Sequence, residues 1–170
     1  MKNVIFIIAV MLLFLQGCTS PNSPNYPISP SDIEPQTYTY LELNGDKSEV
    51  WKKARNHIAT VYGDSKDVMR VGDESEGSLL GKGLIQWKMM DSAISPYCYS
   101  KYDIRFLAKD GKARLQLELL PGAPAGSECV GWTLPSKHGY NQVLEKFESM
   151  AKRFEKSLRG EGSLETMSDF

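Results

Sequence analysis

The chain has 170 residues, with 20 Lys and Arg against 21 Asp and Glu, and its formal charge of −1 is spread over intermixed signs. A nucleic-acid groove or a polybasic membrane patch needs a concentrated positive field, so the composition argues against both partners. The length suits one domain with a leader and a linker, enough to bury a core.

The first feature along the chain is Lys2 followed by an uncharged apolar run from Val4 to Leu15, 12 residues long. That matches the h-region of a secretory signal and falls short of the roughly 20 residues that span a bilayer. The run ends in Leu15-Gln16-Gly17-Cys18, which resembles the lipobox of bacterial lipoproteins. The resemblance implies that residues 1–17 are removed and that Cys18 becomes the acylated N-terminus, with two or three chains giving an anchor that a single chain does not. It also implies an outer-membrane lipoprotein facing the periplasm, since Thr19 rather than Asp follows the cysteine. The rival reading is an ordinary secretory signal cleaved near Cys18.

Residues 18–36 hold this cysteine and a segment with Pro21, Pro24, Pro27, Pro30 and Pro35 among Ser, Asn and Thr. Prolines at this density favour extended polyproline II, so the segment is expected to be a tether reaching roughly 55 Å.

Residues 37–160 read as one folded unit. Thr37 to Leu43 alternates as a strand. Asp46 and Glu49 have the form of a capping box, and Val50, Trp51, Ala54, Ile58, Val61 and Tyr62 then fall on one face of a helix over 47–62, stopped by Gly63. Extended segments follow over 66–73 and 78–90, the second placing Gly81, Gly83, Ile85, Trp87 and Met89 opposite Leu80, Lys82, Leu84, Gln86 and Lys88. The two glycines on one face offer a bend or room for a bulky neighbour. Tyr102, Ile104 and Phe106, a turn at Asp110-Gly111, and Ala113, Leu115, Leu117 and Leu119 make a hairpin. Residues 121–139 form a loop too long for a simple connector, either a flap or a disulfide-pinned cover. Tyr140, Val143, Leu144, Phe147, Met150, Ala151, Phe154 and Leu158 mark a terminal helix ended by Gly160, and residues 161–170 read as a tail.

The order β-α-β-β-β-β-α predicts a two-layer α+β domain, a mainly antiparallel five-stranded sheet with both helices on one face. The stretch from Tyr38 to Leu158, with Gly45-Asp46-Lys47-Ser48-Glu49-Val50-Trp51-Lys52-Lys53-Ala54, Val68 to Asp73, Gly77 and Gly81-Lys82-Gly83, resembles the bacterial envelope domain of unknown function with a TBP-like fold. The resemblance implies that fold and carries no reaction with it. The insert over 121–139 departs from the pattern.

Candidate chemistry is sparse. The glycines of 77–83 lack the spacing, the Ser or Thr after Lys82 and the following helix that a phosphate loop needs. His57 and His138 are the only histidines, expected on solvated surfaces, and neither has companions at metal-ligand spacing. A Cys98 thiol paired with His138 is one conceivable nucleophile, but Cys98 and Cys129 in an oxidising compartment are expected to be bridged, because the hairpin returns the chain to the start of its first strand. Asp73, Glu74 and Glu76 read as a solvated acidic turn. Trp132, an aromatic in a Gly- and Pro-rich loop, is a candidate contact residue or a cover for the core. No catalytic set, metal site or cofactor motif is found. The expectation is therefore a non-enzymatic lipoprotein that engages another envelope protein. The alternative is a small-molecule or lipid carrier with a groove between the terminal helix and the sheet.

Overall fold

The computed structural model describes residues 23–62 and 69–161. Cys18 and the leader, the whole segment 63–68 with Gly63 as the expected helix stop and the first residues of the expected extended segment 66–73, and residues 162–170 lie outside them. Five strands, β1 (Gln36–Tyr40), β2 (Met69–Asp73), β3 (Ser78–Lys88), β4 (Tyr97–Lys109) and β5 (Lys112–Leu120), and two helices, α1 (Lys47–Tyr62) and α2 (Lys137–Leu158), follow one another as β1-α1-β2-β3-β4-β5-α2. The sheet is antiparallel throughout, in the order β1-β5-β4-β3-β2. Both helices cover one face, as the period-two burial of β3, β4 and β5 requires.

The inward residues explain the packing. Gly83 lies opposite Tyr102 in the β3/β4 register, and a Cβ at Gly83 would collide with the Tyr102 ring. The glycine is thus the space into which the tyrosine folds. Gly139 of α2 serves the indole of Trp87 in the same way, while the indole N–H donates to the Ser100 hydroxyl at 3.0 Å. Phe147 packs on Tyr102 at 5.1 Å between ring centroids, and Phe154 packs on Phe106 at 5.4 Å and on the His57 ring at 4.9 Å. Tyr40 closes the seam, its hydroxyl donating to the Ala151 carbonyl at 3.0 Å.

Helix α1 starts as its sequence dictates. Glu49 N–H donates to the Asp46 carboxylate at 2.9 Å, and Asp46 N–H donates back to Glu49 at 3.2 Å. Val61, placed on the buried face by spacing, is 48% exposed instead. β1 is shorter than its alternation suggested, because Glu42 takes a positive φ of 55°, ending the ladder and turning Leu43 into the core. β4 begins five residues before the expected Tyr102, at Tyr97. Helix α2 begins at Lys137, ahead of its first apolar ridge, because the Ser136 hydroxyl accepts from Gly139 N–H at 2.9 Å.

The second half of the proline-rich segment is not a free spacer. Pro27 bridges to Ser136, Ile28 is 6% exposed, and Ile28 N–H donates to the Pro135 carbonyl at 2.9 Å. Lys137 and His138 N–H, orphan donors at the start of α2, are taken by the carbonyls of Tyr26 and Pro24 at 2.9 Å each. Proline lacks a donor but keeps its acceptor, so this segment suits a helix start that needs carbonyls. A 3₁₀ turn at Pro30–Asp32 then leads into β1.

Cys98 and Cys129 are bridged, with 5.3 Å between α-carbons, inside the range disulfides adopt. β4 outruns β5, whose pairing stops at Lys101 with Leu120, so the overhang presents unpaired N–H groups. The long loop satisfies them: Tyr97 N–H donates to the Glu128 carboxylate at 2.8 Å and Tyr99 N–H to the Ser127 hydroxyl at 3.2 Å. Of the two expectations for this insert, the structure selects the pinned cover.

Two outcomes test this core. Phe147 is 1% exposed, and Phe147→Ala is expected to destabilise the domain by about 3 to 5 kcal/mol, read as a lower midpoint in denaturant. His57 is half-buried; burial, reinforced by the Arg153 guanidinium, lowers its pKa from the ordinary 6.5. The folded domain therefore keeps the ring neutral where the unfolded chain protonates it, so stability is lost as pH falls through 6.5 and levels off below the folded pKa. Melting temperature should drop between pH 7.5 and 5.5, above the carboxylate range, and His57→Gln should flatten that drop.

Candidate functional site

The face of the sheet opposite the helices has no covering layer among the described residues, and its side chains are those at the outward phase of each strand. Across its centre runs a line of charge. Lys82 meets Asp103 at 2.7 Å, Asp103 lies beside Arg105 at 3.6 Å, and Arg105 reaches Glu118 at 3.1 Å. Asp103 and Glu118 sit directly opposite in register, a repulsive placement that the two cations offset. Being half-exposed, these pairs add little to stability; they order the side chains that a partner would meet. Beside them Leu84 is 60% exposed, next to Gln86, which donates to the Tyr99 hydroxyl at 2.8 Å, and Lys88, whose ammonium stands 5.4 Å from the Tyr97 ring centroid.

Towards the β4-β5 turn the same face carries exposed Leu41, Val71, Leu80 and Leu107. Leu41 and Leu107 line a groove of about 320 Å³ together with Lys109, Lys112 and Arg114. None of these three cations takes part in an ion pair among the described residues. The groove combines apolar surface with unspent positive charge, a setting for an extended acidic and apolar segment.

The sequence candidates are distributed differently. Trp132 is half-buried and packs against the core, so it covers the core rather than standing out as a contact residue. The apolar side chain its loop does present is Val130, 76% exposed. His57 is not on a solvated face but against Phe154. His138 sits at the start of α2, far along the fold from His57, and Cys98 is closed to thiol chemistry by its bridge. The acidic turn is occupied with local structure. Asp73 accepts from the Ser75 hydroxyl at 2.7 Å and from Glu76 N–H at 3.0 Å, the first of which leads in lowering its pKa. Glu74 takes Ser48 at 2.5 Å and Lys52 at 3.2 Å. Among the described residues no group of three or more His, Cys, Asp or Glu could hold a metal ion, and no helix is long and apolar enough to cross a membrane.

The seam between the helices and the sheet, lined by His57, Ile58, Ile104, Leu117, Met150 and Phe154, encloses only about 20 Å³. A single water fills that volume.

The outward Leu80 and Leu84 were legible as the solvent phase of an alternating strand. The cationic groove was not, because it joins the end of β1 to the β4-β5 turn, and their adjacency depends on β1 pairing with β5 rather than with a sequence neighbour.

No protein-family model and no curated protein matches the chain. Several solved structures resemble it, the following two among them. One is a TBP-like protein from Parabacteroides distasonis, with a TM-score of 0.60 at 11% identity over 79% of this chain and 97% of that one. The other is a DUF4468 family protein from Bacteroides ovatus, with a TM-score of 0.53 at 14% identity over 79% and 88%. At such identities the likeness is one of architecture: the fold is TBP-like.

Proposed function

We propose that this protein is a non-enzymatic lipoprotein of the bacterial cell envelope, anchored through acyl chains on Cys18 in the outer membrane and facing the periplasm. Its domain engages another envelope protein through the uncovered face of the sheet. The observation that carries the binding half is that face itself, where exposed Leu84, Leu80 and Leu107 flank a line of paired charge and end in a groove with three uncommitted cations. Apolar anchors rimmed by ordered polar groups are the composition of protein interfaces, and the cations favour a partner that presents carboxylates. The anchoring half rests on the lipobox-like Leu15 to Cys18. A carrier role finds less support, since the helix-sheet seam has room for one water and none for an acyl chain.

Two measurements test these halves separately. Cys18→Ala should move the protein from the membrane to the soluble fraction and abolish metabolic acyl labelling; a mutant that still sediments with membranes, from a wild type that takes up no label, would end the lipoprotein reading. For the binding half, a photo-crosslinking residue at Leu84 should capture one envelope protein in intact cells, while the same residue at Lys152 on the outer side of α2 should not. Arg114→Glu with Lys112→Glu should weaken the capture. Equal capture from both faces would refute the assignment of the interface.

A further inference from the structure

We infer that the end of the domain formed by the β3-β4 loop, the β5-α2 loop and the strap over 24–28 rests on the membrane, with Ile94 and Val130 inserted at the depth of the lipid headgroups and the first acyl carbons. The inference rests on acylation of Cys18, and adds to it the orientation of the domain and a lipid-binding surface.

The first support is the length of chain available. Pro24 is fixed to α2 by its carbonyl, which accepts from His138 N–H at 2.9 Å. Between Cys18 and Pro24 lie only Thr19, Ser20, Pro21, Asn22 and Ser23. Six Cα steps span at most roughly 20 Å even when fully extended. A spacer of 18 residues would have let the domain roam; the docked strap removes that freedom and holds one end close to the anchored cysteine.

The second support is what that end presents. Ile94 is 91% exposed and Val130 76%, the two highest values among the large apolar side chains. Tyr26 and Tyr97 are exposed beside them. All four belong to one end of the molecule. Tyr97 begins β4 and is bonded to Glu128 in the loop that carries Val130; Met89, at the base of the Ile94 loop, accepts at its carbonyl from the Ser136 hydroxyl at 2.7 Å; and Tyr26 accepts from Lys137 N–H. Aliphatic tips at the same end as two tyrosines and the long stems of Lys88 and Lys137 suit an interfacial membrane contact.

The third support is rigidity. The Cys98–Cys129 bridge and the Glu128 and Ser127 bonds to the β4 overhang hold the Val130 loop. Ser92 and Ser95 brace the Ile94 loop, the Ser95 hydroxyl accepting from Met90 N–H at 2.9 Å and Ser95 N–H donating to the Ser92 carbonyl at 3.2 Å. With their loops held in this way both side chains stand clear of the core, so each remains in water unless something covers it. The loops and element ends here carry both signs, Asp91 and Glu128 as well as Lys88 and Lys137, so the contact is apolar rather than electrostatic and does not require anionic lipid.

The test uses the full lipidated protein reconstituted in phosphatidylcholine vesicles, with a fluorophore on Ile94→Cys or, as the distal control, on Leu41→Cys, the 98–129 bridge being verified by mass in each. Lipids brominated just below the headgroup should remove most of the emission from position 94 and none from position 41, and the same result should hold when anionic lipid is added. Ile94→Ser with Val130→Ser, both at exposed sites that leave the core untouched, should let the vesicle-bound domain tumble faster, read as a fall in anisotropy at position 41. Unquenched label at 94 on protein whose mass shows acylated Cys18 overturns the orientation while leaving the anchor intact. Protein that carries no acyl group overturns the anchor, and this inference with it.

Discussion

The ring of Phe154 touches Phe106 of the sheet, His57 of the other helix and Tyr40 of the edge strand, and with Phe147 on Tyr102 it ties the two layers together. This one-sided burial governs the rest. Because the inward phase of each strand is committed to α1 and α2, the outward phase is left to face solvent. Room on the inside is so limited that two glycines, Gly83 and Gly139, are needed to seat Tyr102 and Trp87. The filled interior also explains why, among the described residues, the space at His57, Ile58 and Phe154 between helices and sheet is only about 20 Å³, and why the surfaces with chemical character lie on the outer face and at the ends.

Much of the architecture was legible because its signals are local. The alternation of β3 to β5, the Asp46-Glu49 reciprocal cap and the Asp110-Gly111 turn each involve residues a few positions apart, and the element order with both helices on one face follows from them. The bridge between Cys98 and Cys129 was within reach for the same reason, since one hairpin sets its geometry. Misreadings occurred where distant chain decides. Thr37 to Leu43 has the pattern of a longer strand, but Glu42 turns out of it so that Leu43 can enter the core, its N–H donating to the Gly111 carbonyl at 2.9 Å. His57 has the spacing of a solvated helix position, yet α2 packs over it. Trp132 is not one of these: its loop left it open between a contact residue and a cover for the core, and it packs against the core.

The proline-rich segment teaches the same lesson about composition. Its prolines do impose extended backbone, as expected, but extended backbone with free carbonyls is also what the first turn of α2 lacks. Composition described the conformation; the partner more than 100 residues away determined that it docks. The consequence is that residues 24–28 belong to the folded domain and are held against the start of α2 instead of serving as spacer.

That docking also bears on how the chain reaches its native state. The strap bonds to Pro135, Lys137 and His138, and β1 pairs only with β5. A polypeptide that emerges N-terminus first, from ribosome or translocon, therefore carries its opening segment without a native partner until nearly the whole domain has followed. Such long sequence separations slow folding, and a β-strand with both edges open is meanwhile a site for mispairing. β1 spreads Thr37 and Thr39 along its outward phase, polar side chains that keep one side of the waiting strand wetted. The last strand to be seated is thus the first to be made, and assembly of this domain is a ring closure between its two ends.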